Sequence, residues 1–206
     1  MLVSYMKHFF IRVLNMIIGL MLFALGIAVT IKANIGYAPW DVFHAGLANI
    51  FGFSFGLSTI IVGIMLVIIV MLFKERIGFG TILNMILIGT FIDIIFYINV
   101  IPTPKNLILG ILMLTIGLFL IPIGSYFYIR SAFGAGPRDN LMIVLKRKTK
   151  IPVGICRSII ELLVTIIDWL LGGMVGIGTI ISVIGIGFCI QIIFRVFRFD
   201  VTSVKH

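Results

Sequence analysis

Two aspartates stand in the same short motif. Gly36-Tyr-Ala-Pro39-Trp40-Asp41 and Gly134-Ala-Gly-Pro137-Arg138-Asp139 share the pattern Gly-x-x-Pro-x-Asp, 98 residues apart. Proline suits the first position of a helix, where its missing N–H would have no partner anyway. An aspartate two residues later meets the positive end of the helix dipole. Gly36 and Gly134 can supply the backbone angles of a sharp reversal. One reading stops there: a well-made helix start, used twice. The other adds depth. Within a membrane, such helix starts line a polar cavity and attract anions. Arg138 would reinforce that pull in one copy, and Trp40 would line the cavity in the other. Asp41 and Asp139 would be internal counter-ions or carriers of a coupling proton or cation.

A second constellation lies downstream. Arg157 and Glu161 are one helical turn apart and pair readily. Asp168 is eleven residues beyond Arg157, which at 100° per residue returns to within about 20° of the same face. A stripe of three ionisable groups on an apolar helix must face protein or water. It reads either as a structural ion pair or as a polar path. Asp93, with Gln191 as its counterpart, is a milder intramembrane polar position, and interhelical hydrogen bonding accounts for it.

Other chemistry finds little support. Asp41 and His44 form Asp-x-x-His without a second ligand pair, and His8 and His206 lie near the ends. No metal-type spacing, no nucleophile beside a base and no phosphate loop is present. No catalytic residue, metal or cofactor is expected, and the chain is not read as an enzyme. Cys156 and Cys189 lie in apolar segments and read as small packing residues.

The elements that carry these residues belong to a membrane. Hydrophobic residues make up 61% of the 206 residues and charged ones 11%. Soluble domains hold about 45–50% and about 25%. The formal charge of +9 sits at the ends of apolar runs, as the positive-inside rule places it, so nucleic acid is not the expected partner. The partners expected are the lipid bilayer and a small-molecule or lipid substrate.

The 98-residue relation spans the whole chain. Seven of the ten glycines in the first 98 residues fall on glycines of the second half, where chance predicts about one. The fold expected is an all-α polytopic membrane protein of two repeats, 1–98 and 99–206. Spans are expected at about 9–31, 56–73, 80–99, 107–128, 154–172 and 177–196. Half-helices are expected at 39–51 and 137–148, each about 18 Å long, too short to cross a core of about 30 Å. With six spans and both termini cytoplasmic, Lys7, Lys74, Arg76, Arg130, Arg138, the basic cluster at 146–150, Arg198 and Lys205 fall in or beside cytoplasmic segments. Lys32 and Lys105 remain outside. Three spans per repeat make the second copy enter from the opposite face. That is the inverted-topology arrangement of secondary transporters, with a site at the repeat interface.

The segment Thr30-Ile-Lys-Ala-Asn-Ile-Gly36-Tyr-Ala-Pro39-Trp-Asp41-Val-Phe-His44 resembles the bacterial YczE/YyaS/YitT group of integral membrane proteins. So do Gly134-Ala-Gly-Pro137-Arg-Asp139-Asn-Leu-Met142, Arg157 with Glu161-Leu162, and Gly172-Gly173 before Gly176-Ile-Gly-Thr179, the last two features pointing to the YczE branch. The resemblance covers nearly the whole chain. It implies a bacterial inner or plasma membrane protein of permease-like character and carries no catalytic residue with it.

The reading that follows is a small transporter or flippase-like permease. Its site is built from Gly36, Pro39, Trp40, Asp41, Gly134, Pro137, Arg138 and Asp139, with a polar path of Arg157, Glu161, Asp168 and Asp93. Substrate sign leans anionic. A homodimer would suit so short a chain. The alternative is a non-transporting accessory or scaffold protein for an enzyme system.

Overall fold

A computed structural model describes residues 2–72, 77–170 and 175–203, with side chains from residue 6 onward. Lys74, Arg76, Gly172, Gly173, Lys205, His206 and the ends of two expected spans (73 and 171–172) lie outside the described residues. Within them the chain is all-helical: α1 (Leu2–Lys32), α2 (Pro39–Phe51), α3 (Phe55–Leu72), α4 (Phe79–Ile98), α5 (Leu107–Arg130), α6 (Pro137–Thr149), α7 (Val153–Leu170) and α8 (Ile177–Val196). The helices α1, α3, α4, α5 and α8 are long and apolar enough to cross a membrane. At 18 residues, α7 has the length, but Arg157, Glu161 and Asp168 lie buried along it. The protein is therefore a multi-pass membrane protein. Its lipid-facing surface is rich in exposed Ile, Leu and Phe, as in Ile64, Ile68, Leu112, Leu163 and Ile184.

Small residues set the helix crossings. A Cβ on Gly19 would stand 2.5 Å from the backbone N of Tyr128 and 2.8 Å from the carbonyl of Gly124. One on Gly26 would meet Ile121, with the Gly117 carbonyl 3.1 Å away. So α1 and α5 cross antiparallel at backbone distance, the close approach that glycine permits between membrane helices. Leu20, Ala24 and Ile27 bury themselves there with Leu114, Leu118 and Ile121.

The sequence echo reappears in the contacts, exchanged between the halves. The Gly80 N–H donates to the Phe133 carbonyl at 2.7 Å, and its counterpart Gly178 donates to Ile35 at 2.8 Å. Gly56 N–H donates to Asp93 Oδ1 at 2.8 Å, and Gly154 N–H to Gln191 Oε1 at 3.0 Å. Asp93 and Gln191 thus each satisfy an otherwise partnerless N–H in the first turn of a neighbouring helix.

The short helices hold 13 residues each, about 20 Å at 1.5 Å per residue. Each runs from a buried proline to an exposed end: Pro39 and Pro137 are buried, while Phe51 and Thr149 are exposed. Left-handed backbone at Gly36 (φ 119°) and Gly134 (φ 129°) makes the turn into each helix. Gly36 packs on Gly178 and Thr179, and Gly134 on Gly78 and Thr81. These two glycines therefore shape the turns and pack against the helix starts of α8 and α4.

Candidate functional site

The two proline turns bring their ionisable residues into the middle of the bundle. Asp41 and Asp139 are each 1% exposed, and Arg157 and Glu161 each 2%. Charges so placed in a membrane protein are expensive and mark function by default. On the α6 side, Arg157 Nη1 donates to Asp139 Oδ1 at 2.8 Å. Tyr128 and Ser125 of α5 donate their hydroxyls to Asp139 Oδ2, the latter at 3.3 Å. Tyr128 also accepts the Gly136 N–H at 3.2 Å, which holds the turn itself. Arg157 Nε lies 2.8 Å from Glu161 Oε1. That N–H is too poorly aligned for a hydrogen bond, so the attraction there is ionic.

The α2 side is built differently. Arg138 Nη1 stands 3.9 Å from Asp41 Oδ1, beyond hydrogen-bond reach. Arg138 Nη2 instead lies 3.0 Å from Nε2 and 3.2 Å from Nδ1 of His44, and its guanidinium sits 5.3 Å from the centre of the Trp40 ring. His44 is fully buried and also meets Thr59 Oγ1 at 3.2 Å. Asp41 Oδ1 is left without a hydrogen bond, 3.7 Å from His44 Nδ1.

Two small cavities flank this centre. The first, about 30 Å³, is lined by Thr59, Gly63, Asn84, Pro137, Arg138 and Asp139 among others. The second, about 20 Å³, is lined by Arg157, Glu161, Ser182, Trp40, Asp41 and Arg138 among others. Each has room for about one or two water molecules. Their walls are 98-residue counterparts, with Thr59 facing one where Arg157 faces the other, and Asn84 where Ser182 does. Arg138 borders both. A third opening, about 530 Å³ and almost wholly apolar, lies between α3 and α7 with Trp40, Phe43, Leu66 and Ile160 in its lining. Asp168 and Lys148 also line it.

The structure thus gathers Pro39, Trp40, Asp41, Pro137, Arg138, Asp139, Arg157 and Glu161 in one place. Arg138 lies in this interior, with His44, Asp41 and Trp40 around it, where the cavity reading of the turns expected it. Asp168 stands apart on the apolar opening, with Oδ2 buried and unpartnered. Asp93 is remote from the path expected of it, bound to Gly56 and to Ser54, whose hydroxyl donates to it at 2.6 Å. His44, Thr59, Ser125 and Tyr128 are site residues that sequence reasoning passed over. Asp-x-x-His was the visible signal for His44. Among the described residues no cluster of three or more His, Cys, Asp or Glu could hold a metal ion.

Comparison with known proteins agrees with a membrane protein and names no activity. The chain is 36% identical over 175 residues to "Uncharacterized membrane protein YczE" of Bacillus subtilis, covering 84% of this chain and 80% of that one. It is 31% identical over 179 residues to an "Uncharacterized protein" of Haemophilus influenzae, covering 84% and 81%. It is 27% identical over 169 residues to "Uncharacterized protein YyaS" of Bacillus subtilis, covering 81% and 84%. No solved structure matches it. Residues 10–195 match the model of a family of unknown function, DUF6198, and with the YczE likeness this places the chain in that YczE-like membrane family.

Proposed function

We propose that the chain is a small membrane transporter or flippase-like permease, with its site where the two proline turns meet. The observation that carries this reading is the burial of Asp41, His44 and Asp139 near the inner ends of two half-length helices, with the half-buried Arg138 beside them and the buried Arg157 and Glu161 of α7 against them. Half-helices that start inside the bilayer and line a polar centre are how discontinuous transporter helices present their N-termini to substrate. The exchanged contacts and the antiparallel α1–α5 crossing support two inverted repeats of three spans each. In that arrangement α7 is the sixth span, its charges turned toward protein.

Substrate chemistry follows from Arg138. Its carboxylate contact is loose, and the ring of His44 and the indole face of Trp40 are its other close contacts, so it is the cation most readily turned to an anionic group. The apolar opening between α3 and α7 gives such a group a lateral way in, and Trp40 lies in the lining of both that opening and the polar cavity. An amphipathic anion, or a lipid with an anionic headgroup, fits both features.

Reconstitution tests it. Vesicles of phosphatidylethanolamine and phosphatidylglycerol containing the protein should exchange fluorescent phosphatidylglycerol between leaflets, or take up a member of a panel of labelled organic anions. Arg138→Gln should lower that rate at least tenfold with the protein still folded. Equal rates in protein-free, wild-type and R138Q vesicles, together with a stable co-purifying partner, would favour the accessory reading instead.

A further inference from the structure

The central cluster carries one negative charge too many. Asp41, Asp139 and Glu161 face the guanidinium groups of Arg138 and Arg157, all on or beside one polar centre. His44 adds nothing, as its contacts show. A guanidinium N–H only donates, and Arg138 Nη2 lies 3.0 Å from Nε2 and 3.2 Å from Nδ1, so one ring nitrogen must be unprotonated to accept it. With Nε2, the nearer, as that acceptor, Nδ1–H is free to donate to Thr59 Oγ1, whose own hydroxyl donates to the Phe55 carbonyl at 3.0 Å. His44 is neutral. Among the described residues packed on α2, no further charge restores the balance: helix α3 has no ionisable side chain and α8 brings only Cys189 and the exposed Arg195. Asp168, farther along α7, shares the apolar opening with Lys148 and stands outside this count. Surplus charge in a dry interior is removed by taking up a proton or a counter-ion.

The three carboxylates are not equal candidates. Asp139 is held by Arg157, Tyr128 and Ser125. Glu161 has Arg157 at 2.8 Å. Asp41 Oδ1 accepts no hydrogen bond and has no cationic atom closer than Arg138 at 3.9 Å. It also borders the cavity of about 20 Å³, where a water can reach it.

We propose that Asp41 is a proton-binding site, so that the ion coupled to transport is H⁺. A proton passes from water in the cavity to the carboxylate of Asp41, one O–H bond forming as one in hydronium breaks, with no other bond changed. The cluster becomes neutral, and Arg138 loses the ionic attraction of the carboxylate 3.9 Å away. The coupling of H⁺ to transport rests on the transport reading, while the proton site stands on the charge count and on the unpartnered Oδ1 of Asp41.

The test needs no transport. Infrared difference spectra of the full chain in lipid nanodiscs, recorded across pH, should contain a protonated-carboxyl C=O band that grows as pH falls. It should vanish in Asp41→Asn, persist in Asp139→Asn and move to a new frequency in Asp41→Glu, which keeps the group should D41N misfold. Absence of any such band in wild type, as bound Na⁺ would cause, overturns the proposal. So does a band that survives D41N and disappears in Glu161→Gln. A band with the expected pattern but no transport in vesicles leaves the proton site standing and removes only the transport reading.

Discussion

Arg157 donates to Asp139 at 2.8 Å, while the residue 98 positions earlier, Thr59, holds His44 at 3.2 Å. One position in the repeat therefore does two jobs. In the second half it is an ionic lock on the α6 turn. In the first half it is a neutral hydrogen bond beside the α2 turn. The two proline turns share a backbone design and differ in how tightly their aspartates are tied.

The lock should matter to stability. Replacing Arg157 by Leu leaves Asp139 and Glu161 buried without their cation, and breaking a buried pair from one side costs about 3–5 kcal/mol. Unfolding of R157L in detergent should show a loss of that order. Arg157→Lys should recover only part of it, because a single ammonium cannot match the two directions in which Nη1 and Nε reach Asp139 and Glu161. A wild-type unfolding midpoint in R157L would show that the lock is ornamental.

The two aspartates should respond unequally to the same change. Asp139→Asn removes charge from a carboxylate that accepts from Arg157, Tyr128 and Ser125. Hydrogen bonds to charged groups are worth about 1.5–3 kcal/mol each, so D139N should lower stability by at least about 2 kcal/mol. Asp41→Asn removes charge from a group whose Oδ1 accepts nothing, and should stay within about 1 kcal/mol of wild type. Thermal unfolding of the two variants side by side decides it, and equal losses would contradict the asymmetry.

Much of this frame was legible in the chain. The 98-residue echo located both short helices, because Pro39 and Pro137 at the first helical position carry their own local physics. Helical periodicity also put Arg157 and Glu161 on one face. Cross-element partners were not legible. Tyr128 meets Asp139, and His44 meets Arg138 across 94 residues, through helix crossings that no local pattern encodes. Asp93 reads in the sequence both as an interhelical hydrogen-bonding residue and as part of a polar path, and its bonds to Ser54 and Gly56 support the first. Which helix start it serves was not legible, because that partner lies on another element.

Glycine substitutions should separate crossing from spacing. Gly19→Ala forces a methyl to within 2.5 Å of the Tyr128 backbone, and overpacking of this kind costs about 1–3 kcal/mol. Gly46→Ala meets nothing within 4 Å on α2 and should be neutral or stabilising by up to about 1 kcal/mol through helix propensity. Thermal midpoints that fall in G19A and hold in G46A bear out backbone contact at α1–α5.

Outside the membrane-spanning segments, one carboxylate has a pH signature. Lys146 Nζ donates to Asp200 at 2.6 Å, and Thr202 adds its backbone N–H and its hydroxyl. These hydrogen bonds pull the Asp200 pKa from 3.8 down to about 2. A folded-state pKa below the unfolded one means stability that is present above pH 3.8 and lost as pH falls through about 2. The side chain is 59% exposed, so solvent screens the effect and it is small. Asp200→Asn should flatten the stability profile in that window: slightly less stable than wild type near neutral pH, with the gap closing as pH falls through about 2. An acid limb identical in D200N and wild type would rule the contact out as its source.

Topology gives the sharpest check on the inverted repeat. Antiparallel α1 and α5 are equivalent elements, so if both cross the membrane, the halves face opposite ways. Lys32 at the end of α1 donates to Asn99 at the end of α4 at 2.8 Å, which puts Lys105, just beyond Asn99, on the same face as the end of α1. Lys150 follows α6 and precedes α7. With α5 as the only crossing between them and α6 returning to the side it entered from, Lys105 and Lys150 must lie on opposite faces. Cys156 and Cys189 are buried, so single cysteines placed at 105 and 150 can be read against a quiet background. A membrane-impermeant maleimide added to intact cells should label Lys105→Cys and leave Lys150→Cys unlabelled until the membrane is opened. Labelling of both from the same side would make α6 a full span and remove the inverted arrangement, together with a site fed by two half-helices.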